Sequence, residues 1–116
     1  MGLNAALYTI SASTVGSTEY SIVNDSTTIA TNTTACVASL WVDAANMAAG
    51  DEFEIAMREK VIAGGTQRRI VLGCLVGAQS APFVTGPFQL AVGWDFTIQK
   101  IAGTDRAFDA AVRAVT

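Results

Sequence analysis

Residues 42–76, VDAANMAAGDEFEIAMREKVIAGGTQRRIVLGCLV, restrict the fold more than any other stretch, because they spell two extended segments joined by a tight reversal. From Glu52 the side chains alternate, with Phe53, Ile55 and Met57 on one face and Glu52, Glu54 and Arg58 on the other, the period of two that marks a half-buried strand. The alternation slips near Glu59. Gly64-Gly65-Thr66 tolerates the positive φ that a tight turn requires, and residues 70–76 return as a nearly unbroken apolar run. The pattern predicts a β-hairpin whose second strand is covered on both faces.

Strand signals continue on either side. Residues 7–12 set Tyr8, Ile10 and Ala12 against Thr9 and Ser11, while residues 19–23 and the Thr-rich residues 27–31 read as two more strands around an Asn24-Asp25-Ser26 turn. Residues 35–42 alternate Cys36, Ala38, Leu40 and Val42 with Val37, Ser39 and Trp41, so both faces are apolar. Asp43 stands where a helix N-cap would, Gly50 fits a left-handed closing position, and the residues between predict one short helical turn near 44–49. Residues 77–86, with Pro82 and Gly86, read as a loop. Phe88, Leu90, Val92, Trp94, Phe96 and Ile98 give the cleanest alternation and predict one long strand over 88–98. Burying that face contributes roughly 1.5–3 kcal/mol per large side chain, so it anchors a core or a subunit contact. Residues 106–115 fit a helical stripe through Phe108, Val112 and Val115, and equally a strand through Phe108, Ala110, Val112 and Ala114; alanine content favours helix.

Seven to eight short strands without long helices predict an all-β fold, an antiparallel β-sandwich of jelly-roll type, in a single domain over 1–116. Hydrophobic residues make up 51% of the chain and charged ones 15%, against about a quarter in ordinary domains. Such a thin charged surface implies that other chains cover part of it. A net charge of -3 offers no basic stripe for nucleic acid, and no run approaches the roughly 18 apolar residues of a membrane span. The amino-terminal residues lack a basic segment before an apolar one, which predicts a soluble chain made without a leader. No Lys or Arg precedes Arg58, whereas Glu19, Asp25, Asp43, Asp51, Glu52 and Glu54 do. This asymmetry suits either a contact between subunits or two solvated faces.

Chemistry is hard to find. Histidine is absent, which removes Ser-His-Asp and Cys-His catalysis and the commonest metal ligand. Cys36 and Cys74 have no CxxC spacing and no activating base, and read as free, buried core thiols unless their strands are neighbours. Asp51, Glu52 and Glu54 read as a solvated strand end in preference to a cation site, since the twelve-residue calcium loop is missing. Gly64-Gly65-Thr66 lacks the phosphate-loop pattern, and Arg68 and Arg69, adjacent on a strand, point to opposite faces. Trp41 and Trp94 would make a sugar platform if exposed, but their apolar runs favour core or interface. Asp95 and Asp105-Arg106 read as a strand-end ion pair. No catalytic, cofactor-binding or metal site is predicted.

Three blocks, MAAGDEFEI (47–55), EKVIAGGTQR (59–68) and GWDFTIQKIAGTDRAFDAAVRAV (93–115), resemble small virion-associated proteins of tailed bacteriophages that serve as capsid decoration or auxiliary structural proteins. The resemblance implies a non-enzymatic β-sandwich without cofactor, made in the host cytoplasm and mounted on the virion. It would assemble as a homo-oligomer, a trimer favoured, on the major capsid protein, binding neither nucleic acid nor membrane. It also implies a strand over 106–115, although Ala110 and Ala111 follow Asp109 where those proteins carry an aromatic and a β-branched residue. Trp41, Phe53, Phe88, Trp94 and Phe96 are then the fold or interface anchors, and residues 1–12 an arm that pairs with a neighbour's sheet edge. The alternative is a carbohydrate- or receptor-binding module of a tail or spike.

Overall fold

Repeated alternation with turns between produces eight strands: β1 (Ala5–Val15), β2 (Tyr20–Ser21), β3 (Cys36–Asp43), β4 (Glu52–Glu59), β5 (Arg68–Val76), β6 (Phe83–Leu90), β7 (Asp95–Ala102) and β8 (Arg106–Val115). A computed structural model describes residues 5–116. The strands form two four-stranded sheets with orders β1-β8-β3-β6 and β2-β7-β4-β5, all neighbours antiparallel. The pairs β1·β8, β2·β7, β3·β6 and β4·β5 are nested about the β4–β5 reversal, as in a long hairpin ribbon rolled up on itself.

The inward-facing halves of the alternation fill one core. Val15, Leu40, Val42, Phe108 and Val112 from the first sheet meet Phe53, Ile55, Phe96 and Ile98 from the second, all with 0–1% exposure. The two sheets are joined most directly by Phe53 and Phe108, whose rings meet edge to face at 4.8 Å. The first half of β7, residues 95–98, is buried on both faces, with residues 22–34 running beside it. Ile22 N–H donates to the Phe96 carbonyl, Asn32 and Trp94 exchange backbone hydrogen bonds, and the buried Asp95 carboxylate accepts from Ala30 N–H at 2.9 Å.

Several expectations need correcting. Residues 44–49 form two successive tight turns and no helical turn: Met47 N–H reaches the Ala44 carbonyl and Asp51 N–H that of Ala48, while Asp43 and Asp51 carboxylates take the N–H groups of Ala45 and Ala48. The Asp51 carboxylate thus takes the Ala48 N–H that a helix would have given to the Ala44 carbonyl. Residues 27–31 are irregular, held by Asp95 and the Asn32·Trp94 bridge. The expected loop over 77–86 ends early, since β6 begins at Phe83 and runs through a cis Gly86-Pro87 peptide. Gly86 has φ +134°, and a Cβ there would lie 2.8 Å from the Ser39 backbone.

The long strand expected over 88–98 is in fact two strands in different sheets, β6 ending at Leu90 and β7 starting at Asp95. The side-chain parity survives the crossing because Leu90, Trp94, Phe96 and Ile98 all point into the same core. Residues 106–115 are strand β8, paired on both sides by β1 and β3. Two ladders of backbone hydrogen bonds outweigh the modest helix preference of alanine. β5 is not covered on both faces. It is an edge strand, with Ile70 and Val71 half exposed and Val76 more so. Residues 5–12 of the expected arm belong to β1 and pair with β8 of their own chain; residues 1–4 lie outside the described residues.

Candidate functional site

The two outer faces of the sandwich differ in chemistry. On the β2-β7-β4-β5 sheet, the outward positions of successive strands carry charges that neutralise one another. Glu19, just before β2, accepts from Arg58 Nε at 3.0 Å and Nη2 at 2.5 Å, from Arg69 Nε at 3.1 Å and from the Thr97 hydroxyl; Arg69 Nη2 also reaches Glu54 at 2.9 Å. Burial works to raise the Glu19 pKa, but the Arg58 and Thr97 hydrogen bonds and the two guanidinium charges outweigh it and hold the carboxyl below its usual value. At the end of the same sheet Asp51, only 2% exposed, accepts from Arg106 Nε at 2.6 Å and from the N–H groups of Thr104 and Ala48. The Arg106 hydrogen bond, then those from Thr104 and Ala48, lower its pKa to about 2.

The acidic first half and basic second half of the chain are therefore matched within one molecule, through Glu19 with Arg58 and Arg69 and through Asp51 with Arg106. Asp51 is a buried brace and no solvated strand end. Likewise Asp105 pairs with Lys100, Arg106 with Asp51, and Asp95 pins residues 22–34, so these three do not make the expected strand-end pair.

The outer face of the β1-β8-β3-β6 sheet is mostly neutral. Leu7, Val37, Val84 and Val115 are 66%, 48%, 47% and 37% exposed, with Thr9, Ser39, Gln89 and Ala111 between them. Its charges are Arg113, whose guanidinium lies 4.0 Å above the Trp41 ring, and Asp43 and Asp109 at one end. The Cys36 end of this face is aliphatic and the Asp43 end is acidic. There a shallow groove of about 370 Å³ runs between Trp41, Pro82, Ala111 and the two aspartates.

Of the residues expected to act as anchors, Phe53, Trp94 and Phe96 are in the core, Phe88 packs partly buried against it, and Trp41 lies outside it. Phe53 packs on Phe108, while Phe88, Trp94 and Phe96 form one aromatic cluster with ring separations of 5.9 Å, extended by Tyr8 at 5.5 Å from Trp94. Trp94 Nε1–H donates to the Thr34 carbonyl. Trp41 sits half-buried on the outer face, its Nε1–H bonded to Ser39 Oγ.

Among the described residues, the groove beside Trp41 holds the charged groups Asp43, Asp109 and Arg113, and the second groove holds Cys36, Glu59 and Lys60. The larger groove, about 550 Å³, is lined by Cys36, Glu59, Lys60 and the two chain segments beside them. The Glu59 carboxylate there is occupied by the N–H groups of Lys60 and Ala91. Burial, then the charge of Glu59, pushes the Cys36 thiol up, away from the reactive thiolate. Both cysteines are free, and Cys74 is exposed on the edge strand with its thiol donating to Glu52, which corrects the expectation of a second core thiol. Among the described residues no three His, Cys, Asp or Glu side chains cluster as a metal site would require.

Compared with protein-family models, curated proteins and solved structures, the chain finds no match.

Proposed function

We propose that the protein is a non-enzymatic structural component of a tailed-phage virion, a capsid decoration or cement protein that self-associates and binds the outside of the shell. The observation that carries this reading is the neutral, aliphatic outer face of the β1-β8-β3-β6 sheet, set against an outer face on the other sheet that carries the Glu19, Arg58, Arg69 and Glu54 ion-pair network. Covering aliphatic area contributes about 25 cal/mol per Å², whereas the ion-paired face is well solvated and gains little from contact. A protein that bridges neighbouring copies of the major capsid protein with that face adds binding free energy that opposes shell opening. The nested pairing of β1·β8, β2·β7, β3·β6 and β4·β5 fits the jelly-roll type of sandwich, and the three sequence blocks resembling virion proteins supply the context. A trimer is the favoured assembly.

A tail- or spike-borne carbohydrate-binding role is the second reading, and the half-buried Trp41 beside an open groove is what favours it. Arg113 covers the ring face that a sugar would stack on, which counts against it. Native mass spectrometry of the purified chain, followed by co-sedimentation with empty shells of the phage that encodes it, separates the two. Decoration requires a chain that sediments with shells, and self-association an oligomer in the mass spectrum. A strict monomer that ignores shells and is retained by glycans would overturn the decoration role in favour of the second reading.

A further inference from the structure

Two groups of charges without an ionic partner stand at opposite ends of the molecule. Among the described residues, three cations belong to no ion pair: Lys60 and Arg68 at one end, with Glu59 between them held by the N–H groups of Lys60 and Ala91, and Arg113, which lies over the Trp41 ring. Lys60 and Arg68 flank the β4–β5 loop, whose tip exposes Val61 at 91% and Ile62 at 68%. At the other end, Asp43 and Asp109 stand directly opposite each other across β3 and β8. Each takes one backbone N–H of its own chain, from Ala45 and Ala12 respectively, and neither forms an ion pair, Arg113 of the same groove lying over Trp41 instead. Like charges in directly opposed cross-strand positions are destabilising, so this pair would gain from an incoming positive charge.

We propose that the β4–β5 loop of one copy docks in the Trp41 groove of a second copy, with Val61 and Ile62 in the groove and Lys60 and Arg68 against Asp43 and Asp109. The groove offers about 370 Å³ lined by Trp41, Pro82 and Ala111, more than twice the ~150 Å³ that accommodates a benzene-sized group. Donor and acceptor match in both shape class and charge: a basic, apolar-tipped finger and an acidic, aromatic-walled trough. A chain cannot fill its own groove. β3 runs from Cys36 to Asp43, and the groove lies at its far end, whereas Lys60 and Val61 line the other groove beside Cys36. At about 3.3 Å per strand residue the two ends are roughly 25 Å apart. Because loop and groove are different surfaces, each copy donates once and accepts once, the arrangement that closes into a ring when the rotation permits.

This contact deepens the self-association in the decoration reading and rests on it. It is tested by sedimentation velocity on the full chain and two variants, with circular dichroism melts to establish folding. The loop variant carries Val61→Asp and Ile62→Asp, and the groove variant carries Asp43→Lys and Asp109→Lys. The wild type is expected to associate, each variant alone to associate at least about a hundred-fold more weakly, and an equimolar mixture to form a one-to-one pair through the surviving loop and groove. Should the lysine variant fail to fold, Asp43→Asn with Asp109→Asn takes its place, with association expected to weaken about ten-fold at low salt. A wild-type oligomer untouched by both variants, or a mixture that does not pair, would overturn the contact. A monomeric wild type that still binds shells would overturn it too and leave the decoration role standing, whereas an intact oligomer that ignores shells does the reverse.

Discussion

Phe53 and Phe108 are the side chains whose loss measures how firmly the two sheets are joined. Phe53 is completely buried in the β2-β7-β4-β5 sheet, Phe108 is 1% exposed in the other, and their rings meet at 4.8 Å and 69°. Truncating a buried phenylalanine to alanine removes its transfer free energy and leaves a cavity, about 3–5 kcal/mol together. The edge-to-face contact itself is worth about 0.5–1.5 kcal/mol beyond area. Phe53→Ala and Phe108→Ala are therefore each expected to cost about 4 kcal/mol, which at a urea m-value of about 2 kcal/mol/M lowers the unfolding midpoint by about 2 M. The double variant should fall short of the summed cost by about 0.5–1.5 kcal/mol, because the ring contact can be lost only once. Urea unfolding followed by tryptophan fluorescence reads all four corners of the cycle. Strictly additive losses, or a Phe53→Ala cost below about 1 kcal/mol, would refute the placement of these rings between the sheets.

Three further outcomes rest on particular residues. The Asp51 carboxyl titrates at about 2 in the folded chain against 3.8 ordinarily, so its stabilising contribution is complete above about pH 4 and is lost as pH falls toward 2. Asp51→Asn should lower the melting temperature at pH 6 and flatten its decline below pH 4. Asp95 has the opposite sign: burial raises its pKa despite hydrogen bonds from Ala30, Ser21, Phe96 and Val23, so its contribution shrinks as pH climbs through the carboxylate range, and Asp95→Asn should steepen the acid loss. In β8, Ala110→Glu puts a charge into the core and should abolish cooperative melting, while its neighbour Ala111→Glu, on the outer face, should shift the melting temperature by only a few degrees. Equal effects at the two positions would contradict the strand assignment.

The fold class was legible because period-two patterning states which side chains face inward. It misled where one pattern serves two structures. The alternation from Phe88 to Ile98 stays in phase across a change of sheet, since both strands face one core. The apolar run 70–76 reads the same in a central strand as in an exposed edge strand, and only the order β2-β7-β4-β5 distinguishes them. Alanine in β8 is compatible with periods of two and of 3.6, so the ladders with β1 and β3 decide. The roles of Asp51 and Glu19 were hidden by distance: their cationic partners lie 39 to 55 residues along the chain, beyond any local pattern. For the candidate docking face, the sequence indicated too little charge overall, but which face lacked it became apparent from the register of β3 and β8.

Co-sedimentation of a Val37→Arg, Val115→Arg double variant with empty shells tests the central claim most directly. Both side chains are exposed on the neutral face, so the variant should melt within a few degrees of the wild type yet lose shell binding. Undiminished binding by that variant, together with loss of binding when Glu52 and Glu54 on the opposite sheet are changed to lysine, would contradict it.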